Sequence, residues 1–457
     1  MHKKTVRWNT IQIIALGFLG VILTGAVLLW LPVNNRQPMS FADALFLSTS
    51  AVCVTGLSTV TPAIQFTISG KIILLLLIQI GGLGIIGCTT AFFLMLHRQI
   101  SVKERLVLQD AYGADHLGGI VVLVKRILLG TFAAEGFGAA LYALSFVPQF
   151  GLLRGIWYAF FHAVSAFCNA GIDILGDSSL RAYAANPIVN LTTMLLIVIS
   201  GIGFIVWFDL LETGRKLRRH QLPLRWCFKH LRLGSKLAIL MTLILIISGT
   251  LIVFLIEYNN PKTLGQFSPG QKFTAALFQS VTTRTAGFYT IPQESMQEES
   301  KLICCILMFI GGSPGGTAGG IKTTTFAMLM LSCLTFIRGG TSIECLGRRI
   351  SVINFRSGFC VFSVALIALI TGTVLIAMIE PDNIALVDLL FETSSAIGTV
   401  GLSADLTAQL LRPSQTVLMV LMYAGRLGPL TLAALFIGKS NPRDKIRILP
   451  EETIMIG

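Results

Sequence analysis

The sequence predicts an all-α polytopic membrane protein with eight spans and four shorter helices between them. Of its 457 residues, 54% are hydrophobic and only 12% are charged, whereas soluble domains carry about 25% charged residues. The mean hydropathy of +0.77 suits a chain whose solvent is mostly lipid. No shift of composition divides the chain, so we expect residues 1–457 to form a single integral membrane domain.

Eight uncharged or nearly uncharged stretches each reach the roughly 20 residues that a helix needs to cross the hydrocarbon core. They lie at 8 to 35, 72 to 96, 127 to 147, 182 to 208, 237 to 256, 302 to 321, 357 to 379 and 413 to 437. The first follows basic residues, as a signal peptide does, but it exceeds the roughly 7 to 15 apolar residues of a signal. We therefore expect it to be retained as a span.

A shorter apolar segment lies between the two spans of each successive pair, which gives four such segments. They lie at 41 to 53, 155 to 168, 272 to 283 and 386 to 398. Segments of about 10 to 14 apolar residues are typically re-entrant, interfacial or core helices. The order is therefore span, short helix, span, in repeats of approximately 8–97, 119–212, 236–337 and 356–437, with 438–457 as a tail.

Basic residues predict the orientation. With the N-terminus in the cytoplasm, the cytoplasmic segments hold 24 Lys plus Arg and the opposite loops hold 8, as the positive-inside rule requires. Both termini are then cytoplasmic. Carboxylates concentrate on the outer side, where a negative mouth would attract cations. The net charge of +13 belongs to the cytoplasmic face and suits anionic lipid or an acidic partner, and no motif indicates nucleic acid.

The short helices end in four related tetrapeptides. These are Val54-Thr55-Gly56-Leu57, Asn169-Ala170-Gly171-Ile172, Thr285-Ala286-Gly287-Phe288 and Thr399-Val400-Gly401-Leu402, with glycines 115, 116 and 114 residues apart. A serine precedes the glycine by six residues at Ser50, Ser165 and Ser395, and we align Ser280 with them, one place early. One such tetrapeptide carries no information, but four at a near-constant period predict a fourfold repeat.

Each repeat crosses the membrane an even number of times, so the repeats are parallel rather than inverted. Non-helical backbone at membrane depth is tolerated only where it lines a cavity. We therefore expect the four glycine segments to meet around one pathway as an ion filter, where glycine lets successive carbonyl groups replace the hydration shell of a cation. Four helix contacts through small residues, without a conduit, would explain the glycines but not the short helices ahead of them.

A glycine-rich segment interrupts the second span of the third repeat. It reads Gly311-Gly312-Ser313-Pro314-Gly315-Gly316-Thr317-Ala318-Gly319-Gly320-Ile321-Lys322, and its six glycines and one proline cannot continue a helix. A phosphate-binding loop is disfavoured because no strand precedes it and Ile321 stands before Lys322. We expect an unwound loop that projects into the pathway below the filter, with a kink of no functional role as the alternative.

Two ionisable residues lie inside predicted spans. Arg426 is in the middle of the last span, and intramembrane arginines usually face a cavity or a partner. We predict that it binds carbonyl groups of the glycine-rich loop and forms an electrostatic barrier beneath the cation sites; snorkelling to the cytoplasmic interface is the alternative. Glu135 receives no assigned role, and it could as well pair with a polar neighbour as carry function.

These features resemble the Trk/Ktr/HKT superfamily of potassium transporters over essentially the whole chain. The most specific phrases are Thr283-Arg284-Thr285-Ala286-Gly287-Phe288 and Gly315-Gly316-Thr317-Ala318-Gly319-Gly320-Ile321-Lys322-Thr323. Because the first repeat begins near residue 8, the chain is most similar to the bacterial Ktr membrane subunit rather than to the longer Trk form.

The resemblance implies potassium uptake across a bacterial plasma membrane by a homodimer with one pore per protomer, regulated by a cytoplasmic ring of nucleotide-binding subunits. It implies that K⁺ binds at filter glycines Gly56, Gly171, Gly287 and Gly401, that 311 to 321 is the gate, and that Arg426 is its electropositive partner. We expect no covalent cofactor and no enzymatic activity, and Na⁺ coupling is left open. A sodium-coupled carrier for an organic solute is the alternative function.

Overall fold

The structure, a computed structural model, describes residues 10–84, 87, 88, 90, 120–219, 223, 226–340 and 342–428. The predicted tail at 438–457 lies outside the described residues. The helices are α1 (Thr10–Trp30), α2 (Phe41–Val52), α3 (Pro62–Gln65), α4 (Ile68–Leu83), α5 (Ile120–Phe150), α6 (Leu152–Phe167), α7 (Pro187–Ile202), α8 (Phe204–Arg219), α9 (Cys227–His230), α10 (Leu233–Glu257), α11 (Pro269–Thr282), α12 (Glu298–Phe309), α13 (Thr323–Ile337), α14 (Val352–Ile379), α15 (Leu386–Gly398) and α16 (Arg412–Leu427). Short 3₁₀ turns lie at Pro32–Asn34 and Arg181–Tyr183, and strands β1 (Glu344–Cys345) and β2 (Arg348–Arg349) pair antiparallel.

Among the described residues, four single helices are long and apolar enough to cross a membrane. They are Gln12–Trp30, Val121–Phe150, Leu233–Glu257 and Val352–Ile379, within α1, α5, α10 and α14. Each is the first span of a predicted repeat, and only 28 to 33% of its most apolar window is buried inside the protein. The apolar outer faces of these helices therefore suit contact with lipid.

In three of the four second spans the helix is interrupted at a glycine inside the predicted stretches 72 to 96, 182 to 208 and 413 to 437, of which residues 91–96 and 429–437 lie outside the described residues. Gly84, Gly203 and Gly428 have φ angles of 76°, 96° and 86°. A residue without Cβ adopts this left-handed region readily, and a helix ends there even where the apolar pattern continues. At Gly203 the chain bends by 88° between α7 and α8.

Four short helices, α2, α6, α11 and α15, occupy the segments predicted between the spans, and we call them pore helices. Two have well-defined starts: Ser40 Oγ accepts a hydrogen bond from the Asp43 amide at 3.1 Å, and the Ser268 amide donates to Gln271 Oε1 at 3.1 Å. Each buries one phenylalanine completely at its centre, at Phe46, Phe161, Phe278 and Phe391. These rings anchor the pore helices in the core.

Packing between repeats follows a closed order. Each second span packs on the pore helix of the next repeat: α4 on α6, α7 on α11, α12 on α15, and α16 on α2. Two of these contacts include ion pairs, Lys301 Nζ with Asp388 Oδ1 at 2.7 Å and Arg412 Nη1 with Asp43 Oδ1 at 2.6 Å. Because the fourth repeat returns to the first, the ends of the pore helices converge on one axis.

Candidate functional site

The four segments that follow the pore helices share one unusual backbone conformation. The residue two places before the glycine is left-handed in each: Val54, Asn169, Thr285 and Thr399 have φ angles of 55°, 60°, 70° and 51°. The glycines follow with φ angles between 63° and 105°. A non-glycine residue in this region costs roughly 1–3 kcal/mol and persists where its surroundings hold it. The same strained shape therefore recurs at all four predicted filter segments.

The four glycines form a ring. A Cβ placed on each would collide with the carbonyl oxygen of the residue before the glycine in the next segment, and the fourth segment returns to the first. The pairs are Gly56 with Ala170 (2.6 Å), Gly171 with Ala286 (2.5 Å), Gly287 with Val400 (2.5 Å), and Gly401 with Thr55. A carbonyl oxygen of each segment thus lies against the glycine of the preceding segment around one axis.

Hydroxyl groups on the pore helices hold these segments in place. The amides of Gly56 and Gly401 donate to Ser50 Oγ and Ser395 Oγ, at 2.9 and 3.0 Å. In the second segment Ser165 Oγ donates to the Ile172 carbonyl at 2.7 Å. The serines six residues before the glycine therefore contact the backbone of the segment that they precede.

The alignment of Ser280 with these serines is wrong. Thr282 takes their place, because its Oγ1 donates to the Phe288 carbonyl at 2.5 Å. Ser280 Oγ instead donates to the Ile246 carbonyl of the first span, at 2.9 Å, as Ser48 Oγ does to Ile22 at 2.7 Å. The third repeat has one residue fewer between the buried phenylalanine of its pore helix and its filter glycine than the other three. Phe278 and the hydroxyl of Thr282 therefore stand one place nearer to the glycine in the sequence.

An open cavity of about 210 Å³ lies on one side of the glycine ring, where the chain continues after each filter glycine. All four filter glycines line it, together with Asp173, Asp177 and Asp405. Burial raises the pKa of Asp173 to about 6; hydrogen bonds from the Leu175 and Gly176 amides and the charge of Lys71 oppose the rise, and nearby Asp177 adds to it. Three of the carboxylates that the sequence analysis assigns to the outer side therefore lie together at the glycine ring.

Asn169 and Glu135 make polar contacts around the second filter segment. Asn169 Oδ1 accepts from Ser200 Oγ at 3.1 Å, and Asn169 Nδ2 lies 3.5 Å from Thr285 Oγ1. Glu135 Oε1 accepts from Gln79 Nε2 at 3.0 Å, and Gln79 Oε1 lies 3.7 Å from the sulfur of Cys168, the residue before Asn169. Glu135 is thus paired with a polar neighbour behind this segment.

The glycine-rich loop lies against the bend between α7 and α8. The amide of Ser313 donates to the Gly201 carbonyl at 2.8 Å, and the amide of Phe204 donates to the Gly315 carbonyl at 2.9 Å. Ile310 and Ile321 form a parallel bridge at the neck of the loop. The loop therefore finds its hydrogen bonds inside the protein, as backbone at membrane depth must.

The loop also reaches the filter. Thr317 Oγ1 donates to the carbonyl of Phe167, the last residue of α6, at 3.3 Å. A Cβ on Gly319 would overlap the side chain of Thr399, the left-handed residue of the fourth segment. The loop is thus seated directly beneath two of the four filter segments.

Arg426 joins the loop to the first repeat. Its guanidinium donates to the carbonyl of Thr317 in the loop and to the carbonyl of Gly81 at the end of α4, with the Gly82 carbonyl at 3.3 Å. A cation at the C-terminal end of a helix is favoured by the helix dipole. Lys322 Nζ contacts the Ala318 carbonyl at 2.7 Å and holds the loop against itself.

Sequence reasoning left Arg284 without a role. Its side chain is 5% exposed, and Nη2 donates to Thr242 Oγ1 of α10 at 3.3 Å. Nη1 has no hydrogen-bond partner within the described residues. The signal was present, since an arginine at the end of a short apolar helix is costly to bury.

The glycine ring and the glycine-rich loop place backbone carbonyl groups around one axis in a polytopic membrane protein. This arrangement is typical of the class of proteins that transport ions. Residues 4–447 match the TrkH family, described as cation transport protein, and the chain belongs to this family. The resemblance found in the sequence is thereby confirmed.

Relatives of known name cover nearly the whole chain. The potassium/sodium uptake protein NtpJ of Enterococcus hirae is 38% identical over 100% of this chain and 99% of its own length. The Ktr system potassium uptake protein B of Bacillus subtilis is 37% identical over 95% of this chain and 94% of its own. The crystal structure of the potassium transporter TrkH from Vibrio parahaemolyticus superposes with a TM-score of 0.69 at 20% identity, over 96% of this chain and 86% of that one. This last similarity supports the all-α membrane fold.

Proposed function

We propose that the protein takes up K⁺ across the bacterial cell membrane through the ring of filter segments. The observation that carries the proposal is the closed order of glycine-to-carbonyl contacts from Gly56 to Gly401 and back. Carbonyl oxygens arranged around an axis replace the hydration shell of a cation. Full-length relatives named as potassium uptake proteins support K⁺ as the ion.

The driving force needs no nucleotide site in this chain. A membrane potential moves a monovalent cation inward with about 2.3 kcal/mol per 100 mV. The carboxylates of Asp173, Asp177 and Asp405 line the mouth above the glycines and raise the local cation concentration. An ion then loses its water at the ring and passes toward the loop.

The loop from Gly311 to Lys322 is the proposed gate. It lies beneath the second and fourth filter segments, where Thr317 contacts Phe167 and Gly319 abuts Thr399. Arg426 holds it to the end of α4 and places a positive charge below the filter. Displacement of the loop would remove the steric block below the filter and would separate Arg426 from the Thr317 carbonyl.

We also propose a homodimer with both termini in the cytoplasm, bound to a ring of nucleotide-binding regulatory subunits. Relatives named as proteins of a Ktr system support a transporter that works with other subunits. Co-purification from the native host tests this assembly, and a dimer with no soluble partner, whose flux ignores added nucleotide-binding subunits, would contradict it.

The decisive experiment is flux in proteoliposomes with K⁺, Rb⁺ and Na⁺ in turn. We expect K⁺ and Rb⁺ to cross faster than Na⁺, because a ring of fixed carbonyl groups distinguishes bare ions. Adding Na⁺ to K⁺ decides whether sodium drives or only accompanies uptake, a question raised by the potassium/sodium uptake relative. Sodium-dependent uptake of an organic solute without K⁺ flux would favour the carrier instead.

A further inference from the structure

Helix α8 leaves the bundle at the bend after Gly203. Helix α7, the second span of the second repeat, packs along α5 and α6, and α8 turns away from it by 88°. If α7 crosses the membrane, α8 runs parallel to the membrane plane, and the basic residues of its last turn place that end at the level of the lipid head groups, because burying them in hydrocarbon is costly. Its apolar start is Phe204-Ile205-Val206-Trp207-Phe208, and its last turn carries Lys216, Arg218 and Arg219.

The outer side of α8 and α9 combines apolar and basic side chains. Leu210 and Leu211 on α8 are 37% and 56% exposed, and next to α9 Trp226 and Phe228 are 42% and 43% exposed. Lys229 Nζ lies 5.2 Å from the Trp226 ring centroid. Arg215, Lys216, Arg218 and Arg219 are exposed on α8, where Lys216 Nζ pairs with Glu212 Oε1 at 2.7 Å. We call these residues the elbow surface.

This mixture favours lipid over an acidic soluble partner. Charge alone suits either one, but exposed leucine, phenylalanine and tryptophan beside lysine and arginine are typical of a helix lying in the interface of an anionic membrane. A helix perpendicular to a span presents its side to the lipid head groups. Basic residues near such a surface bind anionic lipids.

The bend is firmly attached to the loop. Trp207 Nε1 donates to the Ile199 carbonyl at 2.8 Å, so α7 and α8 are held at their angle. The Trp207 ring centroid lies 6.0 Å from that of Phe167, whose carbonyl accepts from Thr317 of the loop. The Phe204 amide, at the first residue of α8, donates to the Gly315 carbonyl at 2.9 Å. A shift of α8 would therefore also move the loop.

We propose that the elbow surface binds anionic phospholipid head groups, and that this binding holds the loop in the docked position seen here. The first half of the proposal stands on the surface itself, and the second rests on the proposed gating role of the loop. A ligand stabilises the state that it binds better. Because α8 has this orientation while the loop is docked, lipid bound to α8 stabilises the docked loop. Anionic lipid therefore lowers the K⁺ flux.

The test compares two full-length variants of equal charge. The elbow variant carries Arg215→Gln, Lys216→Gln, Arg218→Gln and Arg219→Gln. The control variant neutralises four exposed basic residues elsewhere, with Arg338→Gln, Arg348→Gln, Arg349→Gln and Arg356→Gln. Phosphatidylglycerol bound to the detergent-purified proteins is counted by native mass spectrometry. We expect the elbow variant to bind this lipid roughly tenfold more weakly than the control variant.

Flux is then measured in liposomes of phosphatidylcholine with and without phosphatidylglycerol. Wild type and control should pass K⁺ several-fold more slowly when phosphatidylglycerol is present, and the elbow variant should be insensitive to it. Equal lipid binding by both variants would show that the elbow surface does not bind anionic lipid. The same conclusion follows if the only defect of the elbow variant is the loss of its oligomer or of a soluble subunit. Reduced lipid binding with unchanged lipid sensitivity of flux overturns the coupling. Absence of K⁺ flux in every preparation refutes the proposed function, while the binding measurement still decides the lipid surface.

Discussion

Each filter glycine stands where a side chain would occupy the place of a neighbouring carbonyl oxygen. At Gly287 a Cβ would lie 2.5 Å from the Val400 carbonyl oxygen and 3.2 Å from the Cα atoms of Gly171 and Gly401. Its φ of 82° is also unfavourable for any other residue. A single added carbon therefore disturbs three of the four segments at once.

We expect Gly287→Ser to reduce the preference for K⁺ over Na⁺ by tenfold or more, or to weaken K⁺ affinity, because the displaced carbonyl groups no longer match the ion. Reconstituted flux with each ion measures it. Gly270→Ser is the matched control on the same pore helix, since a Cβ there has no atom within 4 Å. Wild-type ion preference in Ser variants of all four glycines would show that the filter is elsewhere.

Glu135 contacts the residue that precedes the second filter segment, both through Gln79 and directly, since its Oε1 lies 3.9 Å from the sulfur of Cys168. We expect Glu135→Leu to lower the K⁺ over Na⁺ preference and to destabilise the protein by about 1–3 kcal/mol, because Gln79 Nε2 loses its acceptor. Glu135→Gln keeps an acceptor oxygen and should restore both properties. Thermal unfolding and flux ratios measure the two effects. A Leu variant that is less stable but equally selective would show that the contact is structural only.

At the scale of elements, the sequence predicted the pore helices and the glycine-rich loop because each has a dense local signal. Single glycines within apolar runs, as at Gly84, Gly203 and Gly428, carry no such signal, so the sequence did not predict the helix breaks after α4, α7 and α16. The register of the third repeat was also misassigned at Ser280, since one missing residue alters spacing but not composition. Contacts between distant elements accompany both features: the Ser313 amide donates to the Gly201 carbonyl beside the break at Gly203, and Ser280 Oγ donates to the Ile246 carbonyl of α10.

Removing the contact of Arg426 should release the loop. We expect Arg426→Ala, or a shortened loop, to raise K⁺ flux several-fold without any activating subunit while leaving ion preference unchanged, because the filter is separate. Arg426→Lys keeps the positive charge but cannot bridge Thr317 and Gly81 with a planar fork. It should therefore fall between wild type and Ala.

Loss of a buried partner also destabilises a protein by a few kcal/mol, so the measurement is flux per correctly assembled molecule in liposomes. Unchanged or reduced flux of a well-assembled loop deletion would refute the gate and leave the glycine run as a structural kink.

At the scale of the whole molecule, carboxylates from different repeats meet on one side of the glycine ring. The sequence predicted an acidic side from loop charges, but not that residues as far apart as Asp173 and Asp405 line one mouth around the glycines. Their convergence depends on the ring in which each second span packs on the next pore helix. Such contacts between repeats leave no local pattern.

The mouth should make K⁺ uptake sensitive to external pH near 6. The pKa of Asp173 is raised to about 6 by burial and by Asp177, while Lys71 opposes the rise, and Tyr289 and Asp405 are the other ionisable groups that line the cavity. Above this pH the carboxylate is charged and attracts cations; below it the group is neutral. A unit charge acting across about 7 Å of water contributes about 0.6 kcal/mol, a roughly threefold change in local concentration.

We therefore expect the apparent KM for K⁺ to rise about threefold as external pH falls through 6, with little change in maximal flux. Asp173→Asn should show the higher KM at every pH and lose the step, and the effect should shrink in high salt. Asp177→Asn removes a neighbour that raises the pKa of Asp173, so its step should move to lower pH. A wild-type pH profile in Asp173→Asn would assign the titration to another group and show that the mouth attracts ions without Asp173.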